Sequence, residues 1–379
     1  MKITELKTFI VGNPWKNWLF LKICTDEGLT GIGEATSGFS TKPVEAQVQE
    51  LSPLVLGEDP LHPERLWQKV FKNIYLKVNT ALSAIEIACW DIVGKNFGVP
   101  LWQLLGGKTR PRLRVYANGW YTCPRDPGAF AQHALKVKEM GYTALKFDPF
   151  GTAYREIGTP ELKLGVRILS AVRDAVGDNM DILIEAHDRF NVATAIQIGK
   201  QIEEFKPMWL EAPVLSTDIE GTLAVARAIQ VPVAVGERFQ RLSQFLDVMK
   251  SREISIVQPE VLNIGGISAT RKAAAIAESG EALVALHQAQ SPFNTAINAH
   301  INASIPNFLI QENFDDFLEP WTHDIFDGVP KVKDGCIEPS DKPGIGVELN
   351  EKEILKHPYG PNNYLRLFEE GWERRRREL

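Results

Sequence analysis

Ile182-Leu183-Ile184-Glu185, Met208-Trp209-Leu210-Glu211 and Val233-Ala234-Val235-Gly236-Glu237 are three apolar runs that each close on a glutamate. The glutamates stand 26 residues apart, twice in succession. That interval is one strand–helix unit of a (β/α)₈ barrel, in which parallel strands deliver their C-terminal ends to one mouth. A lone strand-end glutamate ordinarily stays solvated at the start of a loop. Three in phase would converge, and their mutual repulsion calls for a hard divalent cation held through oxygen, such as Mg²⁺.

On either side of these runs the alternation continues. Strands are expected at Leu113–Ala117, Ala144–Phe147, Ile182–Glu185, Met208–Glu211, Val233–Val235, Ile254–Gln258, Leu283–His287 and Phe308–Gln311, with helical periods between them. Eight strand–helix alternations fit a barrel better than an open sheet. Upstream, strands at Ile3–Val11, Trp18–Thr25 and Gly31–Ala35 are followed by helical periods at Val44–Leu54 and Thr80–Phe97. Strands first and helices second mark a separate α+β unit. The expected fold is therefore α/β: a modified TIM barrel over 113–317, with an α+β capping domain over 1–112 to which 318–379 returns.

Composition narrows the function. The 379 residues are 44% hydrophobic and 24% charged, with a net charge of −6, which disfavours nucleic acid as a partner. The one basic run, Arg374 to Arg377, is flanked by glutamates and reads as a solvated terminal helix. Four scattered cysteines form no metal-ligand spacing and no disulfide framework. The N-terminus has no secretory apolar core, and no run reaches 18 apolar residues. A cytoplasmic protein without a membrane partner is the expectation.

The remaining strand ends carry Lys146-Phe147-Asp148, Gln258-Pro259-Glu260, His287 and Gln311-Glu312. Alternate residues of a strand share a face, so Lys146 pairs with Asp148 and Glu185 with His187. Abstracting the proton alpha to a carboxylate makes a doubly negative enediolate, which a divalent cation and a fixed ammonium stabilise. Glu185, Glu211 and Glu237 would hold the metal, and Lys146 would face the substrate carboxylate or enolate. His287 would be the base, oriented by Glu260, while Glu312, if protonated, would donate to the enolate oxygen. Each has a plainer reading: a core imidazole, a lysine paired with Asp148, surface or salt-bridge carboxylates.

Ser83-Ala84-Ile85-Glu86-Ile87-Ala88-Cys89-Trp90-Asp91-Ile92-Val93-Gly94-Lys95, Leu104-Leu105-Gly106-Gly107, Gly236-Glu237-Arg238, Gln258-Pro259-Glu260 with Gly265-Gly266, His287 and Gln311-Glu312 occur in this order. In this the chain resembles the enolase superfamily, and within it the mandelate racemase-like subgroup, over nearly its whole length. The resemblance implies a capped barrel, one Mg²⁺, enolisation of a carboxylate substrate and assembly into a homo-oligomer. Racemases there carry Lys-x-Lys on the second strand, where this chain has Lys146-x-Asp148. Glu185-x-His187 resembles instead the acid-sugar dehydratases of the galactonate and gluconate type. By that resemblance His287 takes the alpha proton, His187 protonates the departing beta hydroxyl, and the product is a 2-keto-3-deoxy sugar acid. The family's usual aspartates are Glu185 and Glu260 here. An epimerase or cycloisomerase of the same superfamily is the alternative enzyme, and a non-catalytic metal- or carboxylate-binding barrel the alternative to catalysis. Specificity is expected in capping loops, at residues 11 to 20 and Phe39 to Pro43. There Trp15, Asn17 and Trp18, with Asp148 from the barrel, are the expected substrate contacts.

Overall fold

The computed structural model describes residues 1–74 and 79–374. Strands β1 (Ile3–Asn13), β2 (Lys16–Thr25) and β3 (Thr30–Glu34) form an antiparallel sheet with β2 in the middle. Strand β2 is almost continuously apolar because both of its faces are covered. Leu19, Leu21 and Ile23 pack with helices α1 (Thr41–Val55), α2 (Pro63–Asn73) and α3 (Asn79–Phe97). Trp18 and Phe20 point the other way and meet Phe326 and Phe293 in the core shared with the barrel. Each such buried aromatic contributes roughly 1.5–3 kcal/mol.

The glycines of Gly31-Ile32-Gly33-Glu34 permit close approach to α3. A Cβ at Gly33 would lie 2.0 Å from Ala84 O, and one at Gly31 2.0 Å from Ala88 O. Helix α3 is apolar all round because it is buried all round, apart from its C-terminal end. Its two buried acids are docking groups. Glu86 accepts from the Ile267 and Ser268 amides at the start of the helix Ile267–Ser279. Asp91 accepts from Ile32 and Ile345 amides, tying β3 to the segment after the barrel.

The barrel strands are β4 (Leu113–Ala117), β5 (Ala144–Phe147), β6 (Asp181–Glu185), β7 (Trp209–Glu211), β8 (Val233–Val235), β9 (Ile256–Val257), β10 (Leu283–Val284) and β11 (Gln311–Asn313). They pair in parallel from β4 through β10, with β11 beside β4. A parallel bridge between Val284 and Phe308 carries the sheet round towards β11. Among the described residues, β4 to β10 are each followed by an α-helix, whereas β11 leads into 3₁₀ turns at Asp315–Phe317 and Pro320–Ile325.

Four barrel strands are shorter or later than expected, β7 by one residue at Met208. The ladder stops at Val257 and Val284, so Gln258 and His287 stand just past the strand ends, and β11 begins at Gln311 rather than Phe308. Residues 11 to 20 are not a loop but the ends and turn of the β1–β2 hairpin, in which Asn13 pairs with Lys16. The segment after the barrel adds a short strand, Cys336–Ile337, to β4. It then bonds to the hairpin through Gly12 N–H and His357 O at 2.8 Å. The basic run beyond Arg374 lies outside the described residues. Among the described residues, no helix is long and apolar enough to cross a membrane.

Candidate active site

The inside of the barrel is layered. Tyr116, Ala144, Leu183, Trp209, Ala234, Ile256, Ala285 and Ile310 form one buried apolar cluster, one residue from each strand or its immediate end. Strand side chains repeat with period two, so the next layer up is two residues further along each strand. Those positions hold Asn118, Lys146, Glu185, Glu211, Gly236, Gln258, His287 and Glu312. Only Gly236 brings no side chain. Its φ of +131° turns the chain so that the following residue, Glu237, enters the layer instead.

One oxygen from each of Glu185, Glu211 and Glu237 lies within 4.8 Å of the others. Three converging carboxylate oxygens suit a hard divalent cation. Lys146 sits in the same cluster, with Nζ 3.0 Å from Glu185 Oε2, 2.6 Å from Glu211 Oε1 and 2.9 Å from Glu312 Oε1. The ammonium thus donates to two carboxylates and pairs with a third rather than facing open space. Burial pushes Glu211 well above the usual carboxylate range, and the Glu185 charge adds to that. Burial also raises Glu185, with Lys146 opposing it. For Glu237, burial is outweighed by His287 and Arg238, which hold it down at about 2.

Glu312 accepts from Asn118 Nδ2 at 2.6 Å and from the Gln288 amide at 2.8 Å, and pairs with the Lys146 ammonium. Every partner is a donor, and Lys146 and His287 outweigh burial to keep its pKa below the ordinary value. Such partners suit the carboxylate form, whereas the donor role expected from the sequence holds only if Glu312 is protonated.

Two histidines are each pinned at one nitrogen. His287 Nδ1 lies 2.7 Å from Glu260 Oε2, while its Nε2 faces the metal cluster, 3.4 Å from Glu237 Oε2. The other oxygen of Glu260 accepts from the Leu262 amide and Asn294 Nδ2. Burial pulls His287 down but the Glu237 and Glu260 carboxylates prevail, raising it to about 9. His187 Nδ1 lies 2.6 Å from Asp148 Oδ2. The opposite oxygen of Asp148 accepts from Arg189 Nη2 at 2.6 Å and the Phe150 amide at 2.8 Å. Arg189 and His187 thereby hold Asp148 below its ordinary pKa against the opposing effect of burial.

Three expected substrate contacts are placed elsewhere. Asp148 is fully buried beneath His187 with both oxygens engaged, so it orients the imidazole instead of meeting substrate. Asn17 is spent on the backbone of Gly360 and Asn363. Trp18 is a core residue against Phe20 and Phe326. Asn17 and Trp18 lie on β2, both faces of which are covered, and Arg189 engages Asp148 just past the end of β5. Trp15 stacks on Phe314, two residues beyond Glu312, and with Trp372 lines a cavity of about 270 Å³. Phe39 is exposed and meets Tyr364 at a tilt of 44°, with centroids 4.0 Å apart.

Three residues of the site went unread in the sequence, and a fourth, Gln258, is read there only as a strand end without a role. Asn118 and Gln258 belong to the polar layer, and the two-residue step from Tyr116 and Ile256 would have found them. The side-chain amide of Gln258 is buried and makes no hydrogen bond among the described residues. Arg189 continues the Glu185-x-His187 spacing. Trp372 reaches the mouth from the far end of the chain, and no local signal marks it.

The whole chain has relatives. Residues 11–106 match the mandelate racemase/muconate lactonizing enzyme N-terminal domain, and residues 129–353 match the enolase C-terminal domain-like family. A D-gluconate/D-galactonate dehydratase of Picrophilus torridus is 35% identical over 95% of this chain and 93% of its own length. A D-gluconate dehydratase of Thermoproteus tenax is 36% identical over 92% of this chain and 71% of its own. A D-xylonate dehydratase of Haloferax volcanii is 31% identical over 94% and 89%. Among solved structures, a mandelate racemase/muconate lactonizing enzyme-like protein from Roseovarius sp. TM1035 superposes with a TM-score of 0.90 at 33% identity, covering 96% of both chains.

Proposed function

The chain belongs to the mandelate racemase/muconate lactonizing enzyme family of the enolase superfamily, and from that premise we propose that it is a Mg²⁺-dependent dehydratase of a sugar acid. Its substrate would be an aldonate such as gluconate, galactonate or arabinonate. The observation that carries the reading is the pair of imidazoles at one barrel mouth, each with Nδ1 held by a buried carboxylate. A carboxylate accepts, so Nδ1 carries the proton and each ring keeps Nε2 for the substrate.

Members of this family bind a divalent metal, and Glu185, Glu211 and Glu237 are the ligands this chain would offer. Bound there, Mg²⁺ supplies positive charge against the substrate carboxylate and the enediolate derived from it. The protein does the rest. With a cation on Glu237 offsetting the charge that raises the His287 pKa, the imidazole would take the proton from C2 at Nε2, and Glu260 supports the positive charge that builds on the ring. Lys146 adds its positive charge to the site, and the unpartnered side-chain amide of Gln258 offers a donor to the anionic oxygens. His187 Nε2 gives a proton to the C3 hydroxyl as the C3–O bond breaks, releasing water. The enol then ketonises to the 2-keto-3-deoxy acid. One proton is taken and one given, so the step balances.

The racemase alternative needs a second base on the opposite face of C2, and Asp148 stands where that lysine would be. The same reading carries with it a capping domain from both ends of the chain over 113–317, a homo-oligomer and a cytoplasmic setting. The test is a panel of aldonates and aldarates with Mg²⁺, scored for release of a 2-keto-3-deoxy acid as its semicarbazone. Turnover of at least one aldonate, abolished by chelator, is expected. Deuterium entering recovered substrate with no loss of water from any acid would favour an epimerase instead.

A further inference from the structure

We infer that Trp372, from the segment after the barrel, is a positioning residue for the His187 acid. The inference rests on the dehydratase reading for its kinetic consequence and on geometry for everything else. The indole meets the His187 imidazole edge to face, with centroids 5.5 Å apart and planes at 89°. Its Nε1–H donates to Gly151 O at 3.1 Å. The same carbonyl accepts from Arg189 Nη1 at 2.9 Å, and Arg189 Nη2 reaches Asp148. Asp148 in turn holds His187 Nδ1. A closed ring of contacts thus runs from Trp372 through Gly151, Arg189 and Asp148 to His187 and back.

His187 has particular need of it. The residue lies at φ +51° and its neighbour Asp188 at φ +58°, in the left-handed region that side chains other than glycine rarely adopt. Such conformations persist only where surrounding structure over-determines them. Asp148 fixes one ring nitrogen and leaves the imidazole free to swing about that bond. The indole blocks the swing, at a side chain that is itself 17% exposed and therefore unsupported on its solvent side. Trp372 is 5% exposed, so the chain's far end covers the mouth on the His187 side. The His287 side chain is 14% exposed, and its partner Glu260 is held by Asn294 from the barrel itself.

The asymmetry gives a test that a merely structural tryptophan would not pass. His287 alone exchanges the C2 proton, whereas elimination also needs His187. In the Mg²⁺-loaded full chain with D-gluconate in D₂O, Trp372→Ala should slow elimination by at least about tenfold, as loss of an orienting partner does. Deuterium wash-in at C2 of recovered gluconate should persist. Trp372→Phe, which keeps a ring edge but loses the bond to Gly151, should recover part of the loss and covers the case in which the alanine variant fails to fold. Exchange and elimination falling together, or neither changing, would overturn the assignment. A second arm needs no turnover: the ¹⁵N signals of the His187 ring, identified by their loss in His187→Asn, should broaden or shift in Trp372→Phe. If wild type dehydrates no sugar acid, the functional reading falls while this arm still decides the role of Trp372. Unchanged His187 signals would overturn it.

Discussion

The ammonium of Lys146 lies 2.6 Å from Glu211 Oε1, with both side chains out of reach of solvent. Two further carboxylates, Glu185 and Glu312, share that ammonium. Removing one partner of a buried ionic set leaves the others uncompensated, at about 3–5 kcal/mol. Lys146→Met should therefore lower the unfolding free energy by about that amount in chelator at pH 8. The loss should shrink at pH 5, where the stranded carboxylates can take up protons, and on adding Mg²⁺. Denaturant unfolding checks this; a variant within about 1 kcal/mol of wild type at pH 8 would show that Lys146 is not the compensating charge.

The two histidine–carboxylate pairs separate into distinct defects. His287→Asn should abolish both C2 deuterium exchange and dehydration, each by about 10²–10⁴-fold. His187→Asn should lose dehydration by a similar factor and keep exchange. Asp148→Asn should copy the second pattern and Glu260→Gln the first, more mildly. Mass spectrometry of recovered substrate decides; exchange lost in His187→Asn would mean that the roles are misassigned.

Acid sensitivity should trace in part to His300, far from the metal cluster. It is fully buried, accepts from the Trp102 amide and bonds Ile345 O, and burial lowers its pKa from 6.5 to about 4. The unfolded chain therefore binds a proton that the folded protein refuses. The resulting stability is whole above pH 6.5 and disappears as pH falls to about 4, for a total of about 3 kcal/mol. His300→Gln retains a donor and an acceptor but cannot charge. Its unfolding free energy should fall less steeply than wild type between those limits, by up to one proton; parallel pH profiles would contradict the assignment.

Gly33→Ala should destabilise without touching the chemistry. The added methyl would meet Ala84 O at 2.0 Å, and neither backbone can yield cheaply. Overpacking of this kind costs about 1–3 kcal/mol. The variant should melt lower while its KM and its ratio of exchange to elimination stay those of wild type. A shift in that ratio would mean that β3 positions the site as well as the cap.

Much of this was legible beforehand because one rule, the period of two along a strand, does double duty. It makes Leu183, Trp209 and Ala234 core, and it places Glu185 and Glu211 one step above them. The same rule misled where it does not tell which face is covered. Trp18 and Asn17 look like a ligand-facing tip in the sequence, yet one is sealed by Phe326 and the other by Gly360. Asp148 shares a face with Lys146, but Arg189 turns it into the partner of His187. Motif residues invited the same error in reverse: Glu86 and Asp91 carry the family resemblance and serve to dock the cap.

By itself the sequence determined the barrel, its order of strands and the ring of acids and imidazoles at its mouth, since strand period and unit length are local properties of the chain. Tertiary structure alone decided which acids burial shifts, which carboxylate each histidine meets at Nδ1 and that the Trp372 indole lies against His187. Those outcomes depend on burial and on contacts between residues up to 221 positions apart, as for Trp372 and Gly151, and no local pattern encodes them.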